Sequence, residues 1–334
     1  MNILVTGGTG YIGSHTCVEL IKAGHDVVII DNLSNSKIEV LDYIKEITGY
    51  TCKFYECDIL DREGLQKVFS ENKIDSVIHF AGLKAVGESC AKPLLYYRNN
   101  ISGTVILCEV MAEYGVKSMV FSSSATVYGI PKEVPLREDF PLSTTNPYGS
   151  TKLMIEGILK DVYNADNEWD ITILRYFNPI GAHDSGLIGE DPNGIPNNLM
   201  PYITKVASKQ LPCLGVFGDD YPTHDGTGVR DYIHVVDLAD GHVKAIDHMS
   251  GYQVFNLGTG VGYSVLDIVN AFVKVNGVEV PYEIKERRPG DIAENYADAT
   301  RAKDVLGWTA KYGIEDMCRS SWNFTVNALE RKSK

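Results

Sequence analysis

VTGGTGYIGSH, residues 5–15, leaves a strand-like run, NILVT (2–6), and passes through four glycines into a stretch that reads as a helix. The glycines satisfy two spacings at once, Gly8-x-Gly10-x-x-Gly13 and Gly7-x-x-Gly10-x-x-Gly13. Either spacing alone is a weak signal; its meaning depends on a strand before, a helix after and an acid closing the next strand. DVVII (26–30) supplies that strand and Asp31 the acid. Glycines here allow a tight turn and close approach of the backbone to a pyrophosphate, while the helix N-terminus offers donors and positive potential. Asp31 can accept hydrogen bonds from ribose hydroxyls and repels a 2′-phosphate, so the pattern favours NAD over NADP.

Outward from this turn the same alternation continues: CKFYEC (52–57), DSVIHF (75–80), SMVFSS (118–123) and ITILRYF (171–177), with helix-like stretches between them. Alternation implies right-handed crossovers and a parallel sheet, and strands apolar on both faces suit a sheet covered by helices on each side. The predicted fold class is α/β, a Rossmann-type doubly wound parallel sheet with a smaller mixed α/β C-terminal substrate domain. After Phe177 the texture changes to Pro, Gly and Asn in NPIGAHDSGLIGEDPNGIPNNLMP (178–201), a long connection of the kind that is usually functional. A helix-like 235–249 and a strand-like QVFNLG (253–258) read as a return to the sheet. The expected domains are therefore residues 1–178 plus about 233–261, binding NAD, and about 179–232 plus 262–334, binding substrate.

Open α/β sheets hold ligands at the carboxyl ends of their strands. That rule selects Gly7, Gly10, Tyr11, Ile12 and Gly13 in the first turn, Asp31 and Asn32 after the second strand, Asp58 and Ile59 after the third, and Phe80, Ala81 and Gly82 after the fourth. Composition narrows the rest. With 31 basic and 44 acidic residues the net charge of −13 opposes nucleic-acid binding. No apolar run reaches the length of a membrane span. The seven cysteines form no Cys-x-x-Cys pair and the eight histidines no ligand cluster, so reduced thiols and no metal are expected. Strand-like residues begin at Asn2, which leaves no room for a leader and points to the cytoplasm.

NPYGSTK (146–152) places Tyr148 and Lys152 at i and i+4, on one face of a helix begun by Pro147. Alone, such a pair is common on solvated faces. FSSSATVYG (121–129) changes its meaning, because it brings hydroxyl residues to the carboxyl end of the fifth strand, where Ser124 can meet Tyr148. An alcohol oxidised by NAD must lose its hydroxyl proton as hydride leaves its carbon. A lysine ammonium and a positive nicotinamide ring both favour the phenolate, which makes Tyr148 the expected base, with Lys152 and Ser124 beside it.

Together TGGTGYIGSH, SSSATVYG and PYGSTK resemble the extended short-chain dehydrogenase/reductase superfamily. More narrowly, HFAGLKAVGES (79–89), LRYFNPIGAH (174–183), GIPNNLMPYI (194–203), GDDYPTHDGTGVRDYIHVVDLADGH (218–242) and RRPGD (287–291) resemble the UDP-glucose 4-epimerase family, also called UDP-galactose 4-epimerase. The resemblance implies reversible, NAD-dependent epimerisation at C4 of UDP-galactose and UDP-glucose in galactose metabolism, by a homodimer that keeps its NAD bound. It implies that Ser124, Tyr148 and Lys152 are catalytic, and that Lys84, Asn99, Ser122, Tyr176 and Phe177 hold NAD or frame the sugar. It also implies nucleotide-sugar binding by Asn178, Asn198, Leu199, Phe217, Arg230, Arg288 and Asp291, with Lys84, Ser124 and Tyr148 shared. Paired guanidinium donors suit a diphosphate, and the Asp291 carboxylate suits a ribose. The position matching Asn295 is linked in the family to acceptance of N-acetylated sugars, and asparagine is smaller than the tyrosine some members carry.

Three other readings stand beside this one. Related 4,6-dehydratases carry Asp-Glu where this chain has Ala125-Thr126, and elimination needs that further acid and base. An NAD-linked nucleotide-sugar dehydrogenase would release its oxidised sugar, and a nonenzymatic NAD-binding scaffold would share the fold alone.

Overall fold

The computed structural model describes residues 1–333 except 193, 195, 197, 289 and 290, so parts of the GIPNNLMPYI and RRPGD stretches lie outside the described residues. Six strands come first: β1 (Asn2–Thr6), β2 (Asp26–Asp31), β3 (Lys53–Glu56), β4 (Ser76–His79), β5 (Ser118–Ser124) and β6 (Asp170–Tyr176). Then follow β7 (Asn178–Ile180), β8 (Leu214–Phe217), β9 (Val229–His234), β10 (Tyr252–Leu257), β11 (Gly262–Ser264), β12 (Tyr282–Lys285) and β13 (Glu294–Asn295). Helices α1 (Tyr11–Lys22), α2 (Val40–Thr48), α3 (Arg62–Glu71), α4 (Val86–Ala91), α5 (Pro93–Tyr96), α6 (Gly103–Glu113) and α7 (Pro147–Ala165) connect the first six strands. The remaining helices are α8 (Leu199–Ala207), α9 (Val235–Asp247), α10 (Val265–Asn276), α11 (Thr300–Leu306) and α12 (Ile314–Ser333).

Seven parallel strands form the central sheet in the order β10-β6-β5-β4-β1-β2-β3. The period of two in β1 decides how it is covered. Ile3 and Val5 enter the core on one face, with residues of α1 and α9, while Leu4 enters the core on the other, with residues of α3, α6 and α7. Both faces are dry, so these strands read as unbroken apolar runs. The chain order reverses between β1 and β4, and that switch point opens the crevice in which doubly wound sheets bind dinucleotides.

A second layer carries the other wall. β9 pairs with β7, β11 and β13, and β8 pairs with β12, over a separate core that includes Met200, Ile203, Phe272 and Met317. Asp231 ties this layer to the central sheet. Its buried carboxylate accepts from Thr259 N and Oγ1 (2.9 and 2.7 Å), Gly260 N (2.9 Å) and Ala297 N (3.1 Å), which anchors the strand bearing Arg230.

Candidate active site

Gly7 has a φ of 71° and donates its N–H to Ile30 O at 2.8 Å, so the turn after β1 is pinned to β2. A β-carbon at Gly13 would lie 2.2 Å from Gly7 O and 2.9 Å from Gly8 Cα, which only glycine avoids. Gly10 caps α1 without a side-chain acceptor, leaving the helix's first N–H groups without that partner beside Tyr11 and Ile12. Asp31 shapes the next loop: Oδ1 accepts from Leu33 N and Ser36 Oγ, both at 2.9 Å, and Oδ2 from Thr9 N at 3.3 Å. Asn32 donates to Asp58 Oδ2 at 2.7 Å, which joins the ends of β2 and β3. Ile59 turns its side chain into the core against Gly103. A glycine cradle closed to any β-carbon, with an acceptor carboxylate at the end of β2, fits an NAD pyrophosphate and adenosine ribose.

The β4 end is held by a residue that sequence reasoning missed. Phe80 and Ala81 donate to Thr6 O and Oγ1, both at 3.1 Å, and Asn100 then clasps the loop beyond them. Asn100 Oδ1 accepts from Leu83 N (2.8 Å) and Asn99 Nδ2 (3.0 Å), while its Nδ2 donates to Leu83 O (3.0 Å) and Thr151 Oγ1 (3.1 Å). Gly82 lies against the same side chain. The backbone at Tyr97–Ser102 is a π-turn, a widened helical turn frequent at functional sites. Adjacent asparagines inside the helix-like 94–107 stretch were the available signal.

On the catalytic side, α7 starts as its sequence dictates. Asn146 accepts from Gly149 N at 2.8 Å and Pro147 occupies the first turn. Three consecutive serines of β5 then meet one stripe of this helix. Ser122 O accepts from Lys152 Nζ at 2.6 Å, Ser123 Oγ donates to Glu156 Oε1 at 2.5 Å, and the Ser124 hydroxyl ends close enough to Tyr148 to lower its phenol. Glu156 is also gripped by Arg175, Nε to Oε1 at 3.0 Å and Nη2 to Oε2 at 2.7 Å, and Arg175 reaches the Tyr128 hydroxyl at 3.0 Å. Glu156→Gln leaves that buried guanidinium uncompensated, and a loss of about 3–5 kcal/mol is expected in urea unfolding.

Burial holds the Lys152 amine down at about 8, with the Glu156 charge acting the other way. Its Nζ lies 4.8 Å above the Phe121 ring and 6.0 Å from the centre of the Tyr148 ring. For Tyr148 burial raises the phenol above its ordinary value and the Ser124 bond lowers it. Burial of the anion therefore sets the direction at Tyr148, against the depression expected from Lys152, whose Nζ stands 6.0 Å from the ring centre. A positive nicotinamide ring held here would add a charge that favours the phenolate.

Tyr176 lies beneath this group. Its buried hydroxyl bonds His242 Nε2, and Phe177 packs with Ala125, Val127 and Tyr128. Across the cleft Arg230, Asp291, Asn295, Arg288, Phe217 and Asn178 belong to one layer. Arg230 pairs with Asp291 and donates to Val229 O at 2.7 Å, and Asn295 sits opposite it in the β9–β13 register. The Arg288 guanidinium lies 3.9 Å over the Phe217 ring, a platform for a flat, anionic ligand. Asn178 donates to Asp231 O at 3.2 Å. Lys84 and Asn198 meet through a second missed residue: Glu190 Oε1 accepts from Asn198 Nδ2 at 2.7 Å and lies 3.3 Å from Lys84 Nζ. Leu199 opens α8 and packs on the second core.

The family described as GDP-mannose 4,6 dehydratase matches residues 4–321. The chain is 65% identical to the UDP-glucose 4-epimerase of Bacillus subtilis over 97% of its length and 96% of that protein's. The crystal structure of UDP-glucose 4-epimerase from Bifidobacterium longum, in complex with NAD+ and UDP, is 56% identical and superposes with a TM-score of 0.95 over 98% of both chains. The Stenotrophomonas maltophila UDP-glucose-4-epimerase, with bound NAD and formylated UDP-arabinopyranose, is 51% identical, with a TM-score of 0.97 over 99% of both chains. Similarity this extensive, over nearly the whole chain and with the glycine turn and the Tyr148-Lys152 stripe in place, puts the chain in the UDP-glucose 4-epimerase family.

Proposed function

We infer that the chain catalyses the reversible, NAD-dependent inversion of C4 in UDP-galactose and UDP-glucose. The observation that carries this reading is the seating of α7 on the end of β5, where Lys152 bonds Ser122 O and Tyr148 comes beside Ser124. NAD supplies the hydride acceptor for C4 and returns the same hydride after the 4-keto sugar has turned over. Tyr148 takes the proton from O4 and gives it back, so atoms balance over the cycle and no co-reactant is consumed. Ser124 donates to the oxygen that bears the charge, and Lys152 favours the phenolate while it remains an ammonium. Arg230 and Arg288 hold the diphosphate and uridine end, with Phe217, Asp291, Asn178, Asn198 and Leu199 around them. Anchoring at that end leaves the hexose free to present either face.

Dehydration, the chemistry in the broader family's description, needs an acid and base beyond Tyr148. Ala125 and Thr126 offer neither, so reduction at C4 is the exit this site prepares. The test is to supply UDP-galactose to purified protein carrying only its own NAD. UDP-glucose should form, with deuterium at C4 retained. Bound NAD without product, or stoichiometric accumulation of the reduced cofactor, overturns the reading.

The finer assignments follow from the same site. Residues 1–178 with about 233–261 make up the NAD lobe and about 179–232 with 262–334 the nucleotide-sugar lobe, although Asn178 already pairs with the second layer and Ala302, Leu306 and Trp308 pack in the core of the central sheet. Asn295, buried opposite Arg230, is smaller than the tyrosine some family members carry, which favours UDP-N-acetylglucosamine as a further substrate; its lack of turnover overturns that point. Val86, Leu94, Leu95 and Met154 expose large apolar side chains on α4, α5 and α7, Leu94 to 81%, and this face fits a second copy of the chain. A solution mass near twice 36.9 kDa supports the dimer, and a monomer refutes it. Among the described residues no helix is long and apolar enough to cross a membrane, and a nucleotide-sugar substrate fits the cytoplasm.

A further inference from the structure

Ser124 is surrounded by a geometry that its role as a hydroxyl donor does not by itself explain. A serine hydroxyl has one proton to give and two lone pairs to receive. Thr126 fills both acceptor positions: its N–H donates to Ser124 Oγ at 3.2 Å and its Oγ1 donates to the same atom at 3.0 Å. Thr126 is held in place by the first turn of α7. A β-carbon at Gly149 would lie 3.3 Å from both Thr126 O and Oγ1, so the missing side chain lets the threonine lie flat against the helix directly after Tyr148. The half-buried threonine thus touches Ser124 on one side and the Tyr148 turn on the other.

We propose that Thr126 is a positioning residue for the C4 chemistry: by saturating the acceptors of Ser124 it commits the serine proton to the Tyr148 phenol and the substrate O4. With both lone pairs taken, Ser124 cannot rotate to accept from the phenol. It stabilises the anionic oxygen at each stage in which Tyr148 or O4 carries charge. Threonine at 126 therefore does more than lack the acid that elimination requires; it supplies the donor that aims the neighbouring serine. The groups facing the Tyr148 phenol are Ser124 from β5, Lys152 from α7, and the buried phenols of Tyr176 from β6 and Tyr96 from α5.

The proposal rests on the epimerase reading, and the wild-type assay separates the two: absence of UDP-glucose there fails the function, not the positioning. In NAD-loaded protein, Thr126→Val keeps the shape but removes the hydroxyl. It is expected to lower kcat about 10-fold, the effect of losing one directed hydrogen bond, with KM for UDP-galactose changed less than about twofold. The acid limb of the kcat–pH profile should rise, because a phenolate without its committed donor is harder to form. Thr126→Ser restores kcat and the profile. Thr126→Val in a Ser124→Ala background should cost almost nothing further, since the threonine acts only through the serine. Fully additive losses, an unmoved pH profile in Thr126→Val, or a Thr126→Ser variant as slow as the valine overturn the proposal. Should valine reduce NAD content, Thr126→Ala and the same cycle provide the second measurement.

Discussion

Tyr148→Phe is expected to lower the rate of C4 inversion by roughly 10²–10⁴-fold while the protein keeps its fold and its NAD. The phenylalanine ring fills the same space on α7, so the Asn146 cap, the Lys152 to Ser122 O bond and the Glu156–Arg175 pair all survive. What disappears is the phenol beside Ser124 at the end of β5. Burial raises that phenol, so the phenolate depends on charge brought close to it, from Lys152 and from bound NAD. The Lys152 amine is a cation below about 8 and loses its proton above that. Wild-type turnover should therefore fall as pH rises through that value. The phenylalanine variant should lose this alkaline limb along with most of its rate. Near-normal turnover in steady-state assays, at unchanged NAD content, would remove Tyr148 from the chemistry.

The central sheet was legible because its information is local. NILVT, DVVII and ITILRYF are apolar runs bounded by helix-forming stretches, and each became a buried parallel strand. The Tyr148-Lys152 pair was legible for the same reason, since a four-residue spacing fixes a shared helix face. Partnerships between distant segments were not. Nothing near Glu190 indicates that it joins Lys84 to Asn198, because Lys84 arrives from the end of β4. Arg230 and Asp291 were expected to reach separate parts of a ligand, yet they pair with each other, since β9 and β13 become neighbours only when the second layer assembles. Tyr176 was read as holding NAD or framing the sugar, and nothing in its own segment indicated that its hydroxyl meets His242 from α9. Periodicity states which face a side chain takes; it does not state which distant side chain waits there.

Gly13→Ala is expected to yield protein purified without NAD and without turnover. The added β-carbon would sit 2.2 Å from Gly7 O and 2.9 Å from Gly8 Cα, closer than real β-carbons approach any atom, and both neighbours are backbone. That backbone has nowhere to move. Gly7 N is bonded to Ile30 O at 2.8 Å, and a β-carbon at Gly7 would already lie 3.0 Å from Ala81 N, so the turn is pressed between β2 and the loop after β4. Relief must come from opening the turn or lifting α1, at a cost of about 1–3 kcal/mol, and either movement withdraws the N–H groups that a pyrophosphate needs. Gly157 provides the comparison within one subunit, measured on the monomer, because it lies exposed in α7 with nothing within 4 Å of a β-carbon. There the same substitution should stabilise the protein by about 0.5–1 kcal/mol through helix propensity alone. Glycine-to-alanine exchange thus has opposite signs at two helical positions of one chain. Full NAD occupancy in Gly13→Ala would mean that the close approach of the first helix to its strand is not what shapes the cofactor site.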